Sequence, residues 1–240
     1  MIVNKKYLYV FYKDRLIKIS YFINLWSQNT ILFLHWLGSS KSSFLGSLEY
    51  PFINKYTIVG FDFPWHGSSE YIKKFAVDDL VAIVDLVIKK LNLKNIFFVW
   101  HSLGWLVALL YLSRYNDWIK AFINVEGNLT EDDCWFSSYI LSLGLSAFRE
   151  KFWDNDAMFD LSASMVKYSN NVDLLNLFIW LSLPKLFVYW EQSDILYIKE
   201  LENNGIQTRK ISGSWHHPFD TNPSEFYYSL IQYIANNTNL

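Results

Sequence analysis

Short apolar runs rich in β-branched and aromatic residues alternate along the chain with longer stretches whose apolar residues recur at helical spacing. This alternation is typical of βα units around a mostly parallel sheet. Eight strands are predicted, over Leu8–Tyr12, Leu16–Phe22, Thr30–His35, Tyr56–Asp62, Asn95–Trp100, Ile119–Glu126, Lys185–Trp190 and Gln207–Ser212. The first two resemble an antiparallel hairpin at the edge of the sheet.

Three longer helices are predicted between and after these strands. Val77–Leu91 carries apolar residues at helical spacing, Leu103–Arg114 follows a strand directly, and 222–236 would close the fold with Pro223 in its first turn. The segment from about 128 to 183 breaks the rhythm of strands and reads as several short helices rich in Phe, Leu and Trp. We therefore expect an α/β fold with a helical lid inserted over the carboxyl edge of an eight-stranded sheet.

Length and composition narrow the class of protein. A chain of 240 residues suits one large domain over 1–240, and no apolar run approaches the ~20 residues that a membrane-spanning helix needs. The first residues lack the apolar core and cleavage site of a signal peptide, and Cys134 is the single cysteine, so we expect a cytoplasmic protein without an internal disulfide. The net charge of -2 shows no excess of basic residues of the kind that indicates nucleic-acid binding. A small molecule is the expected partner, and the oligomeric state stays open.

The sharpest chemical feature is Ser102, which lies between the apolar run Ile96–Trp100 and an apolar helix. A strand, a tight turn and a helix in this order are the context in which a serine hydroxyl is presented as a nucleophile. The alternative is a serine that merely caps the helix. A second loop, from His35 to Ser40, also follows a strand, and backbone N–H groups there can meet an oxyanion; the expected donors are the amides of Leu37 and Leu103. His35 itself is interpreted as a structural residue of that loop.

A base and an acid are expected on two later loops. His216 and His217 follow the last strand, where a loop can carry an imidazole to the nucleophile. The two side chains point apart, and no Asp, Glu or Cys cluster near them has ligand spacing, so no metal site is predicted. For the carboxylate that orients the base, Asp194 is the first choice, with Glu191 and Glu126 as alternatives.

These segments resemble, in order and spacing, the motifs of the α/β-hydrolase superfamily, and together with one further loop they cover most of the chain. The family's His-Gly strand end and oxyanion loop are matched at 35–38, and its Asp-x-Pro-Gly-x-Gly-x-Ser at 62–69. Its Gly-His-Ser-x-Gly-Gly is matched at 100–105, its acid loop at 190–194 and its Gly-His at 215–216. By this resemblance the base is His216 rather than His217.

The resemblance implies a Ser102, His216 and Asp194 triad and no cofactor. It implies acyl transfer on a small or medium ester-like substrate, as in a carboxylesterase, thioesterase or lactonase. A C–C bond hydrolase of the same fold, a non-catalytic binding protein and an inactive homologue are the alternatives. Aromatic side chains of the lid more often pack on the core than line a pocket; they are Trp135, Phe136, Phe148, Phe152, Trp153, Phe159 and Phe178.

The chain departs from the family pattern in one systematic way, because tryptophan stands where glycine is the rule. The positions are Trp36, Trp65, Trp100, Trp105, Trp190 and Trp215, together with Trp26 in a turn. The 9 glycines fall well below the roughly 17 expected at an average usage of about 7%, whereas there are 11 tryptophans. Bulky side chains in such tight turns predict strain and overpacking. Our hypothesis is that UGA codons of the source encode glycine; UGG codons at these positions would contradict it.

Overall fold

The computed structural model describes residues 6–72, 74–115, 118–127, 129–152, 156–193 and 195–237. Its strands are β1 Lys6–Tyr12, β2 Arg15–Asn24, β3 Thr30–Leu34, β4 Thr57–Phe61, β5 Ile96–His101, β6 Ile119–Val125, β7 Lys185–Trp190 and β8 Gln207–Ile211. Its helices are α1 Val77–Lys90, α2 Leu103–Arg114, α3 Trp135–Ser142, α4 Gly144–Phe152, α5 Asp156–Asn171, α6 Leu174–Trp180, α7 Ile198–Asn203, α8 Pro218–Thr221 and α9 Pro223–Asn237. Short 3₁₀ segments cover 41–49, 51–53 and 132–134.

The eight strands form one sheet in the order β1-β2-β4-β3-β5-β6-β7-β8. The pairs β1·β2 and β2·β4 are antiparallel, and the five remaining pairs are parallel. The predicted fold class and the antiparallel edge hairpin are therefore confirmed. Because β5 lies between β3 and β6, the turn after it opens at the middle of the carboxyl edge, where ligands bind in sheets of this kind.

Alternating side chains of the central strands bury both faces of the sheet. Leu32, Phe98 and Phe122 pack in one cluster with residues of α1 and α2. Ile31, Phe97 and other residues pack on the opposite face with the apolar side of α9. Residues two apart in a strand point to the same face, so apolar residues at consecutive positions are needed to fill both layers.

At the start of helix α1, the Asp79 side chain accepts a backbone N–H that has no acceptor within the helix. The Asp79 carboxylate accepts the N–H of Ala76 at 2.9 Å and the hydroxyl of Tyr12 at 2.7 Å. The negative charge sits in the first turn, where the helix dipole favours it. Burial raises the pKa of Asp79, but hydrogen bonds from Ala76, Lys13 and Tyr12 outweigh burial and hold this pKa below its usual value. This contact ties the edge hairpin to α1.

The segment between β6 and β7 contains helices α3 to α6, here called the helical insertion. It begins after the carboxyl end of β6 and returns to the sheet at Lys185, whose ammonium donates to the carbonyls of Ile179 and Leu181 at 2.8 and 2.5 Å. These two bonds satisfy carbonyls near the end of α6 that have no partner inside the helix. In the ranges given above, none of the helices combines the length and apolar composition needed to cross a membrane.

Candidate active site

Ser102 occupies a strained turn between β5 and α2. Its backbone has φ 50° and ψ -118°, outside the conformations that non-glycine residues ordinarily adopt. Its hydroxyl makes no capping bond to the helix that follows, so the N-cap interpretation gains no support. Such strain costs about 1–3 kcal/mol and persists where the surrounding structure enforces it. Here the buried strand and helix on either side supply that enforcement.

Gly104 allows the helix to begin so close to the sheet. A Cβ at this position would lie 2.9 Å from the carbonyl oxygen of Leu34 and 3.1 Å from that of His35. The first turn of α2 therefore passes directly over the end of β3. The N–H of Leu103 belongs to this first turn, where helix donors have no acceptor within their own helix.

The loop of residues 35–41, called the oxyanion loop after the role predicted for it, leaves the N–H of Leu37 without a partner among the described residues. The N–H of Gly38 donates to His66 Nε2 at 3.1 Å, and that of Ser39 donates to the Trp36 carbonyl at 3.1 Å. Across the described residues, no hydrogen bond is made by the N–H of Leu37. Leu37 also lines the cavity that contains Ser102. The role of its amide as an oxyanion donor stays a prediction.

Two buried histidines fix the oxyanion loop to the loop after β4. His35 Nδ1 lies 2.8 Å from the Trp36 carbonyl oxygen, and its Nε2 accepts the N–H of Phe63 at 3.1 Å. His66 Nε2 accepts from Gly38, while its Nδ1 lies 3.2 Å from the Pro64 carbonyl oxygen. Each ring thus donates through Nδ1 and accepts through Nε2, which requires the neutral form. The structural role predicted for His35 is confirmed; His66 was not foreseen.

A buried ion pair makes a third connection between these loops. Lys41 Nζ lies 2.5 Å from Asp62 Oδ2, with the two side chains 8% and 0% exposed. The same carboxylate accepts the backbone N–H groups of Lys41 at 2.7 Å and Ser68 at 2.9 Å. A buried carboxylate needs such partners because removal from water is costly. Lys41 was not predicted from sequence.

Acid should weaken the fold through these histidines. Burial lowers the pKa of His35 to about 4, and burial together with the neighbouring His35 lowers the pKa of His66 well below its usual value. As the pH falls below ~6.5, these histidines therefore take up protons in the unfolded chain but not in the folded one. The free energy of unfolding falls between pH ~6.5 and 4, by up to about 1.4 kcal/mol per pH unit for each histidine. Urea unfolding midpoints across pH 7.5–4.5 measure this loss. His66→Gln, which retains an acceptor for Gly38, should show a shallower slope; equal slopes would contradict the assignment.

His216 meets a carboxylate on the side of its ring that carries Nδ1. Nδ1 lies 3.6 Å from Glu126 Oε2, and the Glu126 side chain is 6% exposed. Glu126 directly follows β6 with φ 51°, and its carboxylate also accepts the N–H of Trp190 at 2.6 Å and the hydroxyl of Ser193 at 3.3 Å. The charge of Glu126 is thus held in one position beside the imidazole.

The other residues considered as base or acid are placed differently. The ring of His217 stacks on Trp36 at 4.3 Å, and burial and the neighbouring His216 lower its pKa to about 4. Glu191 Oε2 accepts the N–H of Gly213 at 2.9 Å. Asp194 lies outside the described residues. Among the described carboxylates, Glu126 is the one that contacts His216.

Ser102 and His216 line one cavity of about 720 Å³. It is lined by Ser102, His216, the oxyanion loop and the helical insertion, with Trp36, Trp135, Phe136, Phe152, Met158 and Met165 forming apolar walls. Across the described residues no hydrogen bond joins Ser102 to His216, a bond that often tightens only when substrate binds. The arrangement can hold an apolar group next to a hydroxyl, an imidazole and a free amide.

The aromatic residues of the helical insertion divide between wall and core. Trp135, Phe136 and Phe152 line the cavity, whereas Phe148 and Phe178 are wholly buried and Phe159 packs on Phe148 at 5.4 Å. Trp153 lies outside the described residues. The expected packing on the core is therefore confirmed for Phe148, Phe159 and Phe178, whereas Trp135, Phe136 and Phe152 line the cavity. Sequence alone could not separate the two groups, because both occur on the same short helices.

The tryptophans at glycine positions occupy unlike environments. Of the seven, Trp65 alone has a left-handed backbone, with φ 74°. Trp100 and Trp105 are buried, and their indole N–H groups make no hydrogen bond among the described residues. The ring of Trp105 lies against the Gly127 backbone, where an added Cβ would be 2.2 Å from it. A left-handed tryptophan and two unpaired buried donors each carry a cost.

Comparisons with known proteins agree with this architecture. A family model described as "alpha/beta hydrolase fold" matches residues 29–139. A "Putative esterase/lipase 2" of Mycoplasma pneumoniae is 31% identical over 101 residues, which are 41% of this chain and 37% of that protein. The aligned part thus spans little more than a third of the relative's length.

Solved structures match over nearly the whole chain. An esterase of Thermogutta terrifontis superposes with a TM-score of 0.76 at 13% identity, covering 97% of this chain and 98% of that one. An aryl esterase described as putative, from Burkholderia cenocepacia, gives a TM-score of 0.73 at 16% identity, covering 98% and 100%. At such identities the likeness concerns the fold.

Proposed function

We propose that the chain is a serine esterase of the α/β-hydrolase superfamily that acts on small or medium acyl esters. One observation carries the proposal. Ser102, in a strained turn at the central strand, shares a cavity with His216, and His216 contacts the carboxylate of Glu126. Strain of this kind is maintained at functional sites, and the three groups match the roles of nucleophile, base and orienting acid.

The proposed reaction is acyl transfer to Ser102 followed by hydrolysis. Ser102 Oγ attacks the ester carbonyl carbon while His216 takes its proton, and the amides of Leu37 and Leu103 bind the oxyanion. Collapse breaks the bond to the alcohol oxygen, which receives the proton from His216. A water molecule then attacks the acyl-enzyme by the same route, releasing the acid and restoring Ser102.

The shape of the cavity supports an apolar acyl group. Its volume of about 720 Å³ lies within the range of small-molecule sites, and Met158, Met165 and Phe152 offer adaptable apolar contacts. In this proposal the helical insertion is the lid that covers the acyl chain.

Two reagents test the proposal on the full chain. A fluorophosphonate should form an adduct on Ser102, and p-nitrophenyl butyrate should be hydrolysed faster than the acetate, because each buried CH₂ adds up to about 0.8 kcal/mol of binding. Mass spectrometry of a tryptic digest identifies the labelled residue. Folded protein that neither labels nor hydrolyses either ester would refute the esterase and favour a binding protein.

Glu126→Gln is expected to lower kcat by about 10²- to 10⁴-fold, because glutamine keeps an acceptor for Trp190 but cannot stabilise the imidazolium charge of His216. Initial rates with p-nitrophenyl butyrate give the comparison, and near-equal KM values would show that binding is intact. The matched variant is Asp194→Asn. A large loss in Asp194→Asn with little change in Glu126→Gln would assign the acid to Asp194 instead.

A further inference from the structure

His101, the last residue of β5, directly precedes Ser102 and is wholly buried. Its ring centroid lies 4.7 Å from that of His216 and 4.9 Å from that of Trp36. His101 Nε2 is 2.7 Å from the carbonyl oxygen of His216. Because a carbonyl can only accept, Nε2 carries the proton and donates. One short hydrogen bond therefore joins the strand that ends at Ser102 to the backbone of His216.

The ring of His101 is held in its neutral form. Burial, followed by the neighbouring His216 and His217, holds its pKa well below the usual value. Its Nδ1 is buried and makes no hydrogen bond among the described residues. A neutral His101 ring therefore adds no positive charge beside His216.

The other hydrogen bonds of the segment that carries His216 do not reach β5. The base loop, residues 212–217, donates through Gly213 to Glu191 and through Trp215 to the hydroxyl of Thr221, and both bonds are exposed. The Ser214 hydroxyl donates to the Ile211 carbonyl at 2.8 Å in a buried bond at the end of β8. The side chain of His216 is itself 48% exposed. Among the described residues, the bond from His101 is the one that joins the backbone of His216 to the strand that ends at Ser102.

We propose that His101 is a positioning residue that fixes His216 relative to Ser102 through a hydrogen bond from Nε2 to the His216 carbonyl, a role that rests on the proposed esterase function. Small displacements of reacting groups are costly, and a shift of about 1 Å can reduce a rate by about 10²-fold. Loss of the bond would change the rate of the chemical step rather than the affinity for the ester.

Two substitutions separate positioning from simple stability. His101→Phe keeps a planar ring but removes the donor, and His101→Gln keeps a donor at similar reach. We expect His101→Phe to lower both kcat and the rate of fluorophosphonate labelling by about 10- to 100-fold per folded molecule, with KM nearly unchanged. His101→Gln should recover most of both rates. Equal rates in the two variants, corrected for the folded fraction by urea unfolding, would overturn the proposal.

A measurement on the unsubstituted chain covers the case in which His101→Phe fails to fold. ¹⁵N spectra of histidine-labelled protein at pH 7 should show His101 neutral and protonated at Nε2, with its signal assigned by its loss in His101→Gln. Protonation at Nδ1 alone would overturn the proposal. An unsubstituted chain that neither labels nor hydrolyses esters would instead refute the esterase function, and the positioning role with it.

Discussion

Ser102→Ala is expected to reduce ester hydrolysis by about 10⁴- to 10⁶-fold and to abolish fluorophosphonate labelling, because removing the nucleophile of a triad removes covalent catalysis altogether. The remaining rate would come from the oxyanion donors and from substrate binding. Initial rates with p-nitrophenyl butyrate and gel fluorescence of labelled protein give the two readouts.

The fold should tolerate this change well. Alanine at position 102 meets the same φ of 50° as serine and loses no hydrogen bond that holds the helix. Ser113→Ala on α2 is the matched control, since its hydroxyl donates to the Leu110 carbonyl one turn earlier in the same helix. Substantial labelling that persists in Ser102→Ala would place the nucleophile elsewhere.

Lys41→Met is expected to lower the free energy of unfolding by about 3–5 kcal/mol, because it leaves the charge of Asp62 buried without its cation. This is a large part of the 5–15 kcal/mol that stabilises an ordinary domain. Urea unfolding at pH 7 measures the loss. The second change in Lys41→Met/Asp62→Asn should recover part of it, since the buried charge is then gone.

A more exposed pair provides the comparison. Lys89 and Asp85 are one helical turn apart at 2.7 Å, and their side chains are 69% and 14% exposed. Lys89→Met should cost under about 1 kcal/mol, as is usual for surface ion pairs. A Lys41→Met variant no less stable than Lys89→Met would show that the buried pair contributes little.

Much of the fold follows from local patterns, because burial on both faces of the sheet imposes apolar runs. Strands β3 and β5 read as near-continuous apolar sequence and are confirmed to within one residue at each end. The helix after Ser102 has the predicted bounds, Leu103–Arg114. Helix boundaries inside the insertion could not be read, because its short helices are shaped by contacts with the sheet and with one another.

The candidate site was predictable only in part. The positions of Ser102, His216 and the oxyanion loop follow from strand order, since carboxyl ends of parallel strands share one edge. The choice of the carboxylate that contacts His216 does not follow from strand order, because it depends on the distance between the base loop and the end of β6. The contact between Glu126 and His216 belongs to that tertiary geometry. The pairing of Lys41 with Asp62 depends in the same way on two loops meeting.

The two sides of the cavity differ in how many buried polar contacts hold them in place. The oxyanion loop is cross-linked by His35, His66 and the pair of Lys41 with Asp62. The opposite wall comes from α3, α4 and α5, where Trp135 is 68% exposed and Lys151 is exposed as well. Under the proposed esterase function, substitutions can therefore accumulate on the helical wall during divergence and change which acyl chain is accepted. The proposed catalytic groups stay in place meanwhile, so new substrate ranges are accessible to this lineage without rebuilding its chemistry.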